Sequence, residues 1–272
     1  MKVSVIISTY NSPEWLEKVI WAYSVQNHKQ FELIIADDGS TDETKQLIDR
    51  LRDETGLPIN HVWHPDNGFQ KTVILNKAIL AANTDYLVFS DGDCLPRIDF
   101  LQQHVDHARQ GYFLSGGYFK LPMSTSKLID KNTIINQSVF DVNWLIANGL
   151  EKTAKIRKLT AGPLKSKLLN LLTPTNASWN GHNSSAWKSD ILAVNGFDER
   201  MQYGGEDREF GERLMNKGIK SKQIRYSAIC VHLDHERGYV KQDAIDLNNQ
   251  IRKETRSEKK IWTEYGIKKA CD

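Results

Sequence analysis

Four short apolar runs, each ending in polar turn residues and separated by helix-forming stretches, leave this chain few folds to choose from. Residues 3–8 are rich in Val and Ile and read as a buried strand, after which Ser12-Pro13 supplies an N-cap and a first-turn proline. The helix that follows carries Trp15, Leu16, Val19 and Ile20 on one face. Residues 31–36 repeat the strand signal and end in Asp37-Asp38-Gly39, with Ser40 and Glu43 at capping-box spacing for a second helix. Residues 59–64 form a third strand, with a loop at 65–68 and a helix through Ile74, Leu75, Ala78 and Ile79. Residues 86–90 form a fourth, ending in Asp91-Gly92-Asp93. Strand and helix in alternation predict a parallel sheet, and such sheets bind ligands at the carboxyl ends of their strands. Ser8, Asp38 and Asp93 are therefore expected along one edge.

From about residue 120 the rhythm weakens. A helix is expected over 134–146, and 150–178 mixes basic residues with Gly162, Pro163 and Pro174 as a mobile or inserted segment. Order returns with Gly181-His182-Asn183, a helix over 188–194, a helix opening at Gly205 or Glu206 with Phe210 and Leu214 turned inward, and a strand over 224–231. A charged helix is expected from about residue 239.

The 36 Lys and Arg against 34 Asp and Glu give no reason to expect nucleic acid as partner. Cys94, Cys230 and Cys271 are widely spaced and odd in number, which favours a reducing compartment. With no apolar run of the roughly 18 to 20 residues that cross a bilayer, and a first strand close to Met1, the expected location is cytoplasmic. Contact with the inner face of a membrane remains open through the basic segments, Lys152 to Lys167 and Arg252 to Lys269. The preferred reading of the first is a solvated face, with a lid or membrane-surface patch as the competing one.

Each acidic cluster has a plain reading and a chemical one. Asp91-Gly92-Asp93 is either a surface turn or two carboxylates on one tight turn, which suits a hard divalent ion that also binds diphosphate oxygens. Its place after a buried strand favours the metal. Asp37-Asp38 favours a helix dipole whatever its role, yet a carboxylate there also suits the imide N–H of uracil. A helix cap accounts for Glu206-Asp207 but not for the doubled Gly204-Gly205 beside Tyr203, whose ring can carry the apolar face of a sugar. His232 and His235 flank Asp234 and are either surface residues or imidazole donors to a metal.

Together these motifs resemble inverting family-2 glycosyltransferases of the GT-A fold. The first half is similar through Val3-Ser4-Val5-Ile6-Ile7-Ser8-Thr9-Tyr10-Asn11, Ala36-Asp37-Asp38-Gly39-Ser40 and Phe89-Ser90-Asp91-Gly92-Asp93. The second half resembles a galactosyltransferase-type C-terminal module through Gly181-His182-Asn183-Ser184-Ser185-Ala186-Trp187 and Asn195-Gly196-Phe197-Asp198-Glu199, running into Gly204-Gly205-Glu206-Asp207. Bacterial chondroitin polymerase domains and animal beta-galactosyltransferases share this layout. The resemblance implies a single α/β domain over 1–238, Rossmann-like, with a mostly parallel central sheet flanked by helices. Residues 1–115 would be the nucleotide-sugar half, 116–180 a variable segment, 181–238 the acceptor half, and 239–272 a charged helical extension.

It also implies that Ser8, Tyr10 and Asp38 hold the nucleoside, that Phe69, Lys71 and Gly205 line the donor pocket, and that Asp91 meets ribose or donor sugar. Asp93 and His232 would hold Mn2+ or Mg2+, Tyr203, His182 and Asn183 would meet the acceptor, Glu206 would orient it, and Asp207 would be the general base. Two positions depart from the pattern. Ile229 stands where a metal-binding Met is common, and Tyr203 stands where a Trp is common.

The expected reaction is a single displacement, with inversion, of a hexose or N-acetylhexosamine from a UDP-sugar to a saccharide or glycolipid hydroxyl, in surface polysaccharide or lipopolysaccharide synthesis. Desolvation and Glu206 are expected to raise Asp207 above the usual carboxylate pKa of about 3.9. The alternative, kept open by Ile229, is a non-catalytic saccharide- or nucleotide-binding module of the same fold. A dinucleotide oxidoreductase is excluded, because Thr9-Tyr10-Asn11-Ser12-Pro13 contains no GxGxxG turn.

Overall fold

The computed structural model describes residues 1–173, 177–236 and 240–269. Pro174, Tyr239 and Cys271 lie outside the described residues. The four expected strands and their helices are present: β1 (Val3–Thr9), α1 (Pro13–Ser24), β2 (Phe31–Asp37), α2 (Asp42–Thr55), β3 (Ile59–Trp63), α3 (Lys71–Ala81) and β4 (Tyr86–Asp91). The middle of the chain adds β5 (Cys94–Pro96), α4 (Phe100–His107), β6 (Tyr112–Ser115), β7 (Gly117–Lys120), α5 (Met123–Leu128), α6 (Lys131–Ile135), α7 (Val142–Ala147) and α8 (Pro163–Leu172). It ends with β8 (Ser184–Trp187), α9 (Lys188–Ala193), α10 (Glu206–Asn216), β9 (Lys220–Gln223), β10 (Ile229–His232) and α11 (Gln242–Ser257).

Seven strands form the central sheet in the order β3-β2-β1-β4-β8-β6-β9. All its neighbours run parallel except the two pairs made by β8. Alternation along β1 explains the layers on either face. Val5 and Ile7 point into a core with Leu16, Val19 and Ile20 of α1 and Leu47, Ile48 and Leu51 of α2. Ile6 points the other way, to Ile74, Leu75, Ala78 and Ile79 of α3 and Phe210 and Leu214 of α10. The connection order reverses between β1 and β4, where Ser8 pairs in register with Asp91. That reversal opens a crevice at the carboxyl ends of the strands. A second sheet, β5-β10-β7, sits beyond it and starts directly after the Asp91 turn.

Several local expectations are corrected. Ser40 does not cap α2: its hydroxyl accepts from the Asn11 N–H, and Thr41 occupies the N-cap position. The helix expected over 134–146 breaks, because Gln137 is left-handed at φ 64 and Asp141 starts α7 by accepting from the Trp144 N–H. The strand expected over 224–231 shortens to β10, since the Ser227 and Ala228 N–H groups both fold back to the Ile224 carbonyl. Segment 150–178, expected to be loose, contains a 3-10 turn and α8.

The charged C-terminal helix is present as α11, and it is part of the globular unit. Ile251 is buried, Thr255 donates to Glu209 of α10, and the Asn248 amide donates to the carbonyls of Gln202 and Gly204. The glycine pair is thus held from behind.

Candidate active site

At the crevice between β1 and β4, the Ser8 hydroxyl donates to Asp91 Oδ1 at 2.6 Å and the Lys71 ammonium to the same oxygen at 2.9 Å. Burial works to raise the Asp91 carboxyl, but Lys71, His182 and the Ser8 hydroxyl outweigh it and hold the group far below the usual carboxylate range. Lys71 is likewise opposed by burial, yet Asp91, Asp207 and Glu206 together keep it firmly charged. One ammonium therefore ties the turn after β4 to the start of α10.

Asp207 lies in the first turn of α10 with Oδ2 accepting from the Gly181 N–H at 2.9 Å. Its Oδ1 is buried and has no hydrogen-bond partner. An orphaned buried carboxylate oxygen is costly, and a substrate hydroxyl would satisfy it. Burial first, then Glu206 and Asp91, push the Asp207 carboxyl up to about 7 against the pull of Lys71 and Gly181. Glu206 beside it accepts from the Gly204 N–H at 2.8 Å. Gly204 and Gly205 have φ values of 113° and 105°, a region that side-chain-bearing residues rarely adopt. Tyr203, just before them, meets Phe69 edge-on at 6.3 Å between ring centroids, joining the two halves of the chain. A cavity of about 440 Å³ opens here, with Tyr118, His182, Tyr203, Glu206 and Asp207 in its wall.

A histidine cluster stands on the other side of Asp91. β10 pairs antiparallel with β5, which puts His232 opposite Cys94 and beside Asp93. His232 Nε2 is 3.8 Å from Asp93 Oδ1, and His235 Nε2 is 3.0 Å from Asp93 Oδ2. Each ring turns Nδ1 to a backbone carbonyl, His232 to Leu233 at 2.7 Å and His235 to Glu236 at 2.8 Å. A carbonyl only accepts, so each Nδ1 carries a proton, and in the neutral ring each Nε2 turns a lone pair toward the Asp93 carboxylate. Lone pairs of two histidines facing both oxygens of one carboxylate call for a proton on Nε2 or a metal cation among them. Histidine ligands commonly donate the other ring N–H to a carbonyl in this way, so the donor set fits a divalent ion. Cys94 is a poor ligand for a hard ion: burial and Cys230 keep its thiol protonated, and its S–H donates to Asp93 Oδ1. His182 is pushed down to about 4 by burial, despite the nearby Asp91 and Asp93, and stays neutral.

The expected nucleoside residues lie at the same sheet edge. Asp38 accepts from His64 Nε2–H at 2.8 Å and from the Gln70 N–H at 2.9 Å, and burial raises its carboxyl against those two bonds. The Lys77 ammonium donates to His64 Nδ1, which fixes that tautomer. The Tyr10 hydroxyl donates to Asp66. Asp37 is structural, accepting from the Ser40 N–H and pairing with His61.

One residue leaves the expected set. Asn183 is 0 % exposed: its amide donates to the carbonyls of Gly117 and Ala228, and its oxygen faces His104. It bridges the two sheets beneath the site and cannot meet an acceptor. Sequence reasoning passed over His64, Asp66 and the contact of His235 with Asp93. His64 carried a usable signal, since it directly follows β3 at the ligand-binding edge. His235 was legible only as a neighbour of His232, because the pairing of β5 with β10 is what delivers it to Asp93.

Comparison with known proteins fits this geometry. Residues 4–146 match the family described as Glycosyl transferase family 2, and residues 174–236 match the N-terminal domain of galactosyltransferase. An uncharacterized glycosyltransferase, YfnE of Bacillus subtilis (strain 168), is 25% identical over 91% of this chain and 69% of its own. Chondroitin synthase of Escherichia coli is 26% identical over 85% of this chain, which spans only 34% of that protein. Among solved structures, the mannosyltransferase PcManGT from Pyrobaculum calidifontis in complex with GDP-Man and Mn2+ superposes with a TM-score of 0.59 at 19% identity, over 88% of this chain and 58% of that one. Staphylococcus aureus TarS 1–349 in complex with UDP does so with a TM-score of 0.59 at 17% identity, over 93% and 64%. These likenesses establish the GT-A fold. With more than half of its length matched, the chain belongs to glycosyl transferase family 2.

Proposed function

We propose that this glycosyltransferase moves a hexose or N-acetylhexosamine from a UDP-sugar to a hydroxyl of a saccharide or glycolipid, with inversion, in bacterial surface polysaccharide synthesis. The observation that carries this reading is Asp207, a buried carboxylate with an unpartnered Oδ1 and a pKa raised to about 7. A general base works best with a pKa near the working pH. Asp207 Oδ1 takes the proton of the acceptor hydroxyl as the hydroxyl oxygen attacks the anomeric carbon and the bond from that carbon to the departing UDP breaks. Gly181 fixes the other carboxylate oxygen, and Glu206, anchored by the Gly204 N–H, orients the acceptor. Tyr203 and His182 line the same cavity and bear on the acceptor sugar.

On the donor side, Ser8 and Lys71 hold Asp91 ionised to receive ribose or sugar hydroxyls, and Asp38, held by His64 and Gln70, accepts the uracil imide N–H. Tyr10 and Phe69 flank the nucleoside, and Gly205 lets the donor approach the start of α10 closely. Mn2+ or Mg2+ would be held by Asp93, His232 and His235; when bound, it supplies positive charge to the diphosphate leaving group. The reading places the enzyme in the cytoplasm, in peripheral contact with the inner face of the membrane through its basic segments. UDP in the TarS complex supports the donor base, and Mn2+ in the PcManGT complex supports the metal.

Asp207→Asn tests the assignment. Transfer measured over a panel of UDP-sugars with Mn2+ falls by about 10²- to 10⁴-fold while UDP affinity stays within about twofold. Equal loss of both in a folded variant would sink the role of Asp207. No transfer and no slow donor hydrolysis by the parent chain would favour a non-catalytic module.

A further inference from the structure

Helix α8 is built inside out. Its inward face is largely polar: the Asn170 amide donates to the Ser227 hydroxyl, its oxygen accepts from the Tyr226 N–H, and Ser166 is buried with its hydroxyl on the Ala161 carbonyl. Its outward face is leucine. Leu164 is 87 % exposed, Leu168 54 %, Leu171 81 % and Leu172 65 %. Spacings of four, seven and eight residues put these four on one stripe. A single exposed leucine needs no explanation, but a stripe on one helix costs solubility and marks a contact surface.

The surroundings indicate what covers it. Lys165 and Lys167 are exposed on the same helix, Lys155 and Arg157 are exposed in the 3-10 turn before it, and Lys152 is exposed just ahead of that turn. Between residues 152 and 172 there is no Asp or Glu. None of these five cations has a salt-bridge partner among the described residues. An apolar stripe flanked by unpaired cations is the pattern of a helix lying in the interface of an anionic bilayer, its leucines among acyl chains and its lysines snorkelling to phosphates. A protein partner would have to supply both an apolar groove and a matching ring of acids.

From the outward leucine stripe and the unpaired cations beside it we infer that α8 is an interfacial anchor that binds anionic phospholipid. This deepens, and rests on, the proposed peripheral membrane contact of the enzyme by naming the element that inserts and the lipid class that it selects. The anchor also borders the active site. Lys158, in the 3-10 turn before α8, and Arg225, next to the Tyr226–Ser227 pair that holds the helix, both line the cavity of Glu206 and Asp207. An enzyme seated on α8 thus has its acceptor cavity beside the bilayer surface.

The test is flotation of the full chain with vesicles of phosphatidylcholine plus phosphatidylglycerol, and of phosphatidylcholine alone. Binding to the mixed vesicles, weakened by salt, is expected. Leu164→Ser, Leu168→Ser and Leu171→Ser combined lower it by at least about tenfold, and Lys165→Gln with Lys167→Gln lower it by about fivefold per charge. Circular dichroism and UDP affinity, unchanged in both variants, separate loss of the anchor from loss of the fold. The inference is overturned if the parent chain ignores mixed vesicles, if it binds both vesicle types equally, or if the leucine variant floats like the parent. Light scattering that finds a dimer in the parent and a monomer in the leucine variant overturns it too, since a second copy then covers the stripe. Vesicle binding is measured without donor or acceptor, so failure of the glycosyltransferase reading leaves it untouched, and the reverse.

Discussion

Gly181 is the residue on which the position of Asp207 depends. A Cβ built at Gly181 lies 2.7 Å from Asp207 Oδ2, so any side chain must push the carboxylate away from the N–H that holds it. Gly181→Ala therefore displaces the proposed base and removes a bond that lowers its pKa. A displacement of about 1 Å costs on the order of 10²-fold in rate. In the parent chain kcat rises as pH passes through about 7, since only ionised Asp207 accepts a proton. In Gly181→Ala that limb moves to higher pH, kcat falls, and UDP affinity holds. An unmoved limb with parental kcat would show that Gly181 does not position the base. The sequence made Gly181 visible as the first residue of a motif, but its Cβ-free contact with Asp207 depends on two segments 26 residues apart.

At the scale of elements, the small sheet β5-β10-β7 gathers the proposed metal ligands. Ile229 stands where a ligand is expected, and it is a buried core residue at the start of β10. The antiparallel pairing of β10 with β5 instead aims two imidazole nitrogens, His232 and His235, at the two oxygens of Asp93. His235→Ala is expected to weaken Mn2+ binding by about tenfold or more, read by electron paramagnetic resonance or calorimetry without any donor present. Mn2+ affinity equal to that of the parent would remove His235 from the ligand set. The parallel elements of the first half were legible because each carries its own apolar period. The α6–α7 region was not, because Gln137 and Asp141 break a pattern whose apolar spacing still looks helical.

At the scale of the whole molecule, the active site is a cost to the fold. The folded chain keeps a proton on Asp207 up to about pH 7, whereas the unfolded chain releases it near the usual carboxylate pKa of about 3.9. Between those values the folded state binds more protons, so this group's contribution to stability falls as pH rises from about 4 to about 7 and stays low above. Asp207→Asn, which carries no charge to bury, should melt higher than the parent at pH 8, with the gap closing toward pH 4. Equal Tm values at pH 8 would contradict the raised pKa. What the sequence determined by itself was local: the strand and helix periods of the first 91 residues, the sheet edge expected to gather Ser8, Asp38 and Asp93, and the acidic start of α10. What only the tertiary structure decided was reach: Lys71 between Asp91 and Asp207, His235 on Asp93, Asn183 inside the core, and leucines on the outside of α8. Apolar periodicity reports that a helix has a face. Only packing against β-strands and loops distant in sequence determines which way that face turns.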